Sequence, residues 1–382
     1  MALHYSDGIL LGRADVPGYD YPRIVTVRDR DLVDITAPGL AMVRDIAERG
    51  DAARDVRGAA GTIVGSVADV LANSAAQQPD PGVAKLLAPI DLQAVKASGV
   101  TFVVSLLERV IEEQARGDKL RADALRGEIL GLIGTDLSEL VPGSEPAMQV
   151  KAALIERGVW SQYLEVGIGP DAEIFTKGQP MSSVGYGAEV GLHPVSRWNN
   201  PEPEVALLVT SKGDIIGATL GNDVNLRDVE GRSALLLGKA KDNNASGALG
   251  PFIRLFDSDF TLETVKEAEI ALRVEGEDGF VLEGHSSMSQ LSRTPESLVS
   301  ATIGRHHQYP DGLVLYLGTM FAPVKDRDGA GKGFTHKLGD VVSISTPTLG
   351  TLRNRVNLST KCPPWTYGAS HLIRDLAKAD LL

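Results

Sequence analysis

The chain has 382 residues, a formal net charge of −12, 43% hydrophobic and 23% charged residues, and one cysteine. These values suit a globular protein with ample core. They argue against nucleic acid or an anionic membrane as partner, while a small anionic substrate stays open because a local cation overrides the global field. No apolar run approaches the roughly 20 residues of a membrane span, and no secretory leader is visible. A lone Cys362 allows no internal disulfide and fits a reducing compartment, so a cytoplasmic location is expected. With no histidine beside it in "STKCPPWTYG", Cys362 reads as an inert thiol.

In chain order, residues 1–85 read as a small N-terminal domain of mixed α/β character. "YPRIVTVRDRDLVDIT" (21–36) alternates apolar positions about a charged turn and predicts a hairpin. "GLAMVRDIAERG" (39–50) and "VGSVADVLANSAAQQ" (64–78) predict helices, and 77–89 a linker. Apolar residues at helical spacing predict a helical segment over 103–158. Beyond 160 the texture changes to strands, among them 203–211, 214–221, 269–278, 312–319, 340–347 and 351–359, with one helix over 294–308. "SKGD" (211–214) is a hairpin turn signal. The expected organisation is an α+β fold with a catalytic domain over 86–382. Phosphate-loop, nucleophile-elbow and zinc-protease motifs are missing from the sequence.

The chemistry concentrates in "WNNPEPEVALLV" (198–209), where Glu202 and Glu204 stand two apart before an apolar strand. Strand side chains alternate faces, so both carboxylates aim the same way. If "SKGD" joins this strand to "IIGATLG", Asp223 in "GNDVNLRD" can join them. Three gathered carboxylates are tolerable when they share a divalent cation, and an all-oxygen donor set selects Mg²⁺, Mn²⁺ or Ca²⁺. On spacing alone, solvated strand-edge glutamates remain the competing interpretation.

The surroundings decide between them. "EPE", "NDVNLRD" and "ALGPF", with "AEIFTKGQPMSSVG" (172–185), "LYLGTMFAP" (315–323) and "GDVVSISTPTLGTLRNRV" (339–356), resemble the fumarylacetoacetate hydrolase superfamily, in its order, across about 90–357. The resemblance implies a mixed β-roll, usually a homodimer or homotetramer. It also implies a cation on Glu202, Glu204 and Asp223, and an active-site lysine. "GKAKDNN" offers Lys239 and Lys241, and the family spacing to Gly250 favours Lys241, with Lys239 the alternative. A cation beside Lys241 would lower its pKa and suit it as a base. Glu173 is the second acid/base candidate. Thr319, Ser183 and Lys177 are candidates for substrate binding.

The hydrolases carry a water-activating histidine at the position that Ser105 occupies in "GVTFVVSLLERV" (99–110). A serine does not serve as general base near neutral pH. Ser105 with Arg109 one helical turn on instead resembles the superfamily's 2-keto-3-deoxy-aldonate dehydratase branch. That implies dehydration of a small anionic 2-keto-3-deoxy sugar acid, 2-keto-3-deoxy-D-xylonate above all, to 2-oxoglutarate semialdehyde in oxidative pentose catabolism. Ser105 and Arg109 would then bind substrate. The alternatives are a hydrolase or decarboxylase of another 2-oxo acid or acylpyruvate, and a non-catalytic sugar-acid binding protein.

Overall fold

The computed structural model describes residues 5, 7–99, 101–102, 111, 124–125, 127, 131, 140–158, 161–319, 321, 325–330 and 332–382. Ser105 and Arg109, with most of the expected helical run before residue 140, lie outside them. The fold is α+β. One sheet of eleven strands contains β1 (Leu10–Asp15), β2 (Arg23–Arg28), β3 (Asp31–Asp34), β4 (Thr62–Ser66), β5 (Lys85–Leu87), β6 (Ala94–Ser98) and β7 (Ile174–Gly178). It also contains β9 (Pro203–Val209), β10 (Ile215–Asp223), β11 (Gly247–Leu255) and β14 (Leu313–Tyr316). Its order is β4-β3-β2-β1-β11-β10-β9-β14-β6-β7, with β5 also paired to β1. The segment expected as an N-terminal unit is therefore hydrogen-bonded into this sheet, Leu10 opposite Arg254 and Leu11 opposite Ile253. A second sheet stacks β13 (Val281–Ser287), β12 (Glu269–Glu275), β15 (Val341–Thr346), β16 (Gly350–Leu358) and β8 (Glu189–Leu192), in that order.

β9 is buried along all seven residues. Its alternate residues enter two cores. Val205, Leu207 and Val209 pack with Leu272, Val342, Ile344 and Leu352 of the second sheet. Ala206 and Leu208 pack with Val43, Ile46 and Val56 of two short helices. Cover on both faces is why the strand reads as a continuous apolar run. Burying each of its leucines contributes about 1.5–3 kcal/mol.

The hairpin expected at 21–36 forms, β2 pairing β3 with Asp29 at φ 56° in the turn. "SKGD" likewise joins β9 to β10, with Gly213 at φ 90° and Thr210 N–H donating to Asp214 O at 2.9 Å. The helix expected over 64–78 is shorter. Residues 62–66 form β4, and Ser66 caps a helix over Val67–Ser74, its hydroxyl accepting from Asp69 N–H at 3.0 Å. The helix expected over 294–308 ends at Thr302, before Gly304. Most unexpected is β11, a central strand holding Pro251. Proline cannot donate to a ladder, which argues against a central strand. A register shift opposite Ala218–Leu220 lets 251–253 bulge past that requirement. Among the described residues no helix is long and apolar enough to cross a membrane.

Candidate metal centre

The register of β9 against β10 builds the centre. Gly221 lies opposite Glu204, and Asp223 N–H donates to Glu202 O at 3.0 Å. Paired residues share a face, so Glu202, Glu204, Gly221 and Asp223 all point the same way. Gly221 has to be glycine: a Cβ there would stand 2.4 Å from the Tyr316 ring, which floors the site. Each of the three carboxylates offers an oxygen within 4.8 Å of the others.

The carboxylates are held individually. Glu204 accepts the Gly318 N–H at Oε2, 2.7 Å. Glu202 accepts from Asn225 Nδ2 at 2.9 Å and from Lys241 Nζ at 2.5 Å. Asp223 takes Lys241 Nζ at Oδ2, 3.1 Å, and forms an ion pair at Oδ1 with Lys177 Nζ, 2.9 Å. That second ammonium stands off hydrogen-bond alignment, so Oδ1 keeps a lone pair for another partner. Lys177 also donates to the backbone carbonyl of Lys241.

Three anions face two cations, and the imbalance falls on Glu204. Burial, then Asp223 and Glu202, push its carboxyl well above the usual range. Burial works against the Asp223 carboxylate too, yet Lys177 and Lys241 outweigh it and hold that group below its usual value. Burial opposes the Lys241 ammonium, but Asp223, Glu202 and Glu230 carry its pKa well above the ordinary lysine value. The expected lowering of Lys241 therefore does not belong to the protein's own field. Burial lowers Lys177. A divalent cation fits this donor set: buried, anionic, all oxygen, with Asp223 Oδ1 still able to donate.

β7 supplies the opposite wall. Glu173 stands at its lead-in, Lys241 Nζ lies 5.5 Å from the Phe175 ring centroid, and a register shift against β6 falls at Lys177, whose ammonium reaches Asp223. The Glu173 side chain folds over Gly99, leaving no room there for a Cβ. Gly99 O in turn abuts Gly318, whose N–H holds Glu204. Lys239 and Lys241 sit two apart on the short helix Leu237–Lys241, so they face different ways: Lys241 is buried, Lys239 exposed. Thr319 Oγ1 donates to Pro203 O at 3.1 Å, beside Glu204.

Ser183 lines a separate cleft of about 1180 Å³ with Arg13, Lys85, Arg353 and Trp365. That cleft is not walled by Glu202, Glu204, Asp223 or Lys241. Asn225, Glu230, Phe175 and the Gly318 N–H belong to the centre without being anticipated. Only Phe175 had a signal, its place between Glu173 and Lys177 in the alternation. Cys362 is buried, its thiol pushed up to about 12 by burial and then Glu189. The folded protein is expected to resist iodoacetamide at pH 8 and to alkylate fully once denatured. Rapid labelling of the native protein would refute the buried thiol.

A "Probable 2-keto-3-deoxyxylonate dehydratase" of Haloferax volcanii is 28% identical over 335 residues, 87% of this chain and 95% of the relative. A 2-dehydro-3-deoxy-D-arabinonate dehydratase of Saccharolobus solfataricus is 32% identical over 180 residues, 47% of this chain and 57% of the relative. The fold is shared with a solved 2-keto-3-deoxy-D-arabinonate dehydratase complexed with magnesium and 2,5-dioxopentanoate. That likeness has a TM-score of 0.63 at 23% identity and covers 91% of this chain and 99% of the other. The family model for the fumarylacetoacetate (FAA) hydrolase C-terminal domain matches residues 149–357, more than half of the sequence and all of the carboxylate centre. The chain belongs to the fumarylacetoacetate hydrolase family.

Proposed function

We propose that this protein is a Mg²⁺-dependent hydro-lyase that dehydrates 2-keto-3-deoxy-D-xylonate to 2-oxoglutarate semialdehyde. The observation that carries the reading is the buried carboxylate triad with Lys241 bridging two of its members. It suits a substrate that chelates a cation through a 2-oxo acid. The two dehydratase relatives support the reaction class. The 2,5-dioxopentanoate held by the solved dehydratase is the semialdehyde of 2-oxoglutarate. With C2 a ketone and C3 a methylene, C4 is the substrate's one stereocentre, and D-xylose and D-arabinose share its configuration.

Dehydration removes a C3 proton and expels the C4 hydroxyl as water. A C5 proton then shifts so that C5 becomes the aldehyde. Glu202, Glu204 and Asp223 would hold a divalent cation, which would supply Lewis-acid polarisation of the 2-oxo group and offset the carboxylate charge that holds the Lys241 proton. In this proposal Lys241 exchanges the proton at C3 and Glu173 serves the departing C4 hydroxyl. Lys177, buried behind Asp223, holds that carboxylate in place. Thr319 contacts the polar substrate, as do Ser105 and Arg109, while Ser183, on the separate cleft, is left out of this role.

The test is to incubate the purified protein with Mg²⁺ and each enantiomer of the 2-keto-3-deoxy pentonate, following semialdehyde with a coupled dehydrogenase. The D enantiomer is expected to turn over. Rapid acylpyruvate cleavage, with no semialdehyde from either enantiomer, would sink the dehydratase reading in favour of a hydrolase.

A further inference from the structure

Residues 325–340 hold buried charge that the chemistry above does not use. Arg327, its side chain 2% exposed, grips Asp340 with both ends of its guanidinium, Nη1 to Oδ2 at 2.7 Å and Nη2 to Oδ1 at 2.9 Å. Nη2 also reaches Asp278 Oδ1 at 2.9 Å. His336 Nδ1 stands 3.1 Å from Asp340 Oδ2, and the Lys337 N–H donates to the same oxygen at 3.0 Å. Phe334, buried, packs its ring against Phe280 and His336. A buried bidentate pair is a poor source of net stability, because desolvation offsets its attraction. What it supplies is fixed geometry.

What it fixes lies next to the triad. Thr335 Oγ1 accepts from Asn199 N–H at 3.2 Å and stands 3.3 Å from Arg197 O, to which it donates. The His336 N–H donates to Asn199 O at 3.4 Å. Asn199 leads through Asn200 and Pro201 into Glu202. Asn200 in turn exchanges both backbone hydrogen bonds with Asn225, each 3.1 Å, and Asn225 is the residue whose amide holds Glu202. The path from Arg327 to a triad oxygen is therefore continuous and made of directional bonds.

We propose that Arg327, Asp340 and His336 form a positioning device for the metal ligands: they set residues 333–337, which hold the 197–200 segment and so fix where Glu202 stands. None of the three touches the carboxylates, and their role is positioning. The inference rests on reading the triad as a cation site.

Calorimetric titration of the metal-free full chain with Mn²⁺ tests it, alongside melting curves. Arg327→Met is expected to weaken Mn²⁺ binding by about 10–100-fold, the cost of losing an outer-shell partner. Arg327→Lys, serving Asp340 only as a point charge, should fall between. Thr335→Val cuts the same path without stranding a buried charge, should weaken Mn²⁺ in the same direction, and carries the test if Arg327→Met does not fold. The control is Arg23→Met, which breaks a buried pair with Asp34 (2.7 Å) on β2, three strands from β10. It should lower the melting temperature and keep wild-type affinity. Wild-type affinity in folded Arg327→Met and Thr335→Val, or equal weakening in Arg23→Met, overturns the positioning role while leaving the cation site standing. Failure of the wild type to bind Mn²⁺ overturns the cation site itself, and the positioning role with it.

Discussion

Glu204→Gln is expected to abolish turnover and to weaken Mn²⁺ binding by more than the ~100-fold that loss of an outer-shell partner costs. Its metal-free form should melt above the wild type. The two effects have one cause. Glu204 is 2% exposed and faces Asp223 and Glu202 within 4.8 Å, and its own polar contact is the Gly318 N–H. Each like-charge pair at that separation costs ~3 kcal/mol at an effective dielectric of 20. Glutamine keeps the volume and an oxygen for Gly318 and removes the repulsion, so the empty fold gains. It also removes an anionic ligand, so the loaded fold loses. Mg²⁺ at about 100 times Kd should stabilise the wild type by ~2.7 kcal/mol and the variant hardly at all. Thermal melts with and without Mg²⁺ read both signs in one experiment. Full activity and wild-type metal content in Glu204→Gln would mean that the centre is elsewhere.

Two members of the triad were legible because their placement depends on a local rule, and the third because its segment resembles the family's. Two glutamates two apart share a strand face, but the hairpin's own register would set Asp223 opposite Pro201, and a register shift between Ile215 and Gly217 is what brings it opposite Glu202. Residues whose place depends on distant pairings were less legible. Gly318 reaches Glu204 because β14 pairs with β9, a contact across more than a hundred residues. Asn225 and Glu230 follow Asp223 directly, yet nothing in their spacing says which carboxylate they meet. Lys177 is more instructive. A register shift against β6 falls at this residue, and its depth behind Asp223 follows from how β7 and the helix Leu237–Lys241 pack together. β11 was not among the expected strands: Pro251 breaks the usual rule for a central strand, and only the register shift against β10 accommodates it. The buried Arg327–Asp340 pair left no sequence signal, since aspartate and arginine thirteen apart are ordinary on a surface.

Lys241→Met should lower kcat by at least about 10²-fold, the lower range for losing a positioned general acid or base. Metal binding should move the opposite way from Glu204→Gln. Lys241 Nζ lies 2.5 Å from Glu202 and 3.1 Å from Asp223, so in the metal-free fold it is the resident counter-charge of two ligands. Removing it leaves those carboxylates without that counter-charge and their oxygens more available, and Mn²⁺ should bind at least as tightly. Methionine keeps the length of the stem and its packing near Phe175. The metal-free variant should nevertheless lose stability, ~3–5 kcal/mol for a buried charge left without its partner. Kinetics are therefore to be read at saturating Mg²⁺, where the cation replaces the missing charge. Lys239→Met changes an exposed residue on the other side of the same short helix, and its kcat should stay near wild type. Reversal of the two lysine effects would transfer the proton-handling role to Lys239. A Lys241→Met enzyme with wild-type kcat and tightened metal would make this lysine a counter-ion alone, leaving Glu173 to carry the proton at C3.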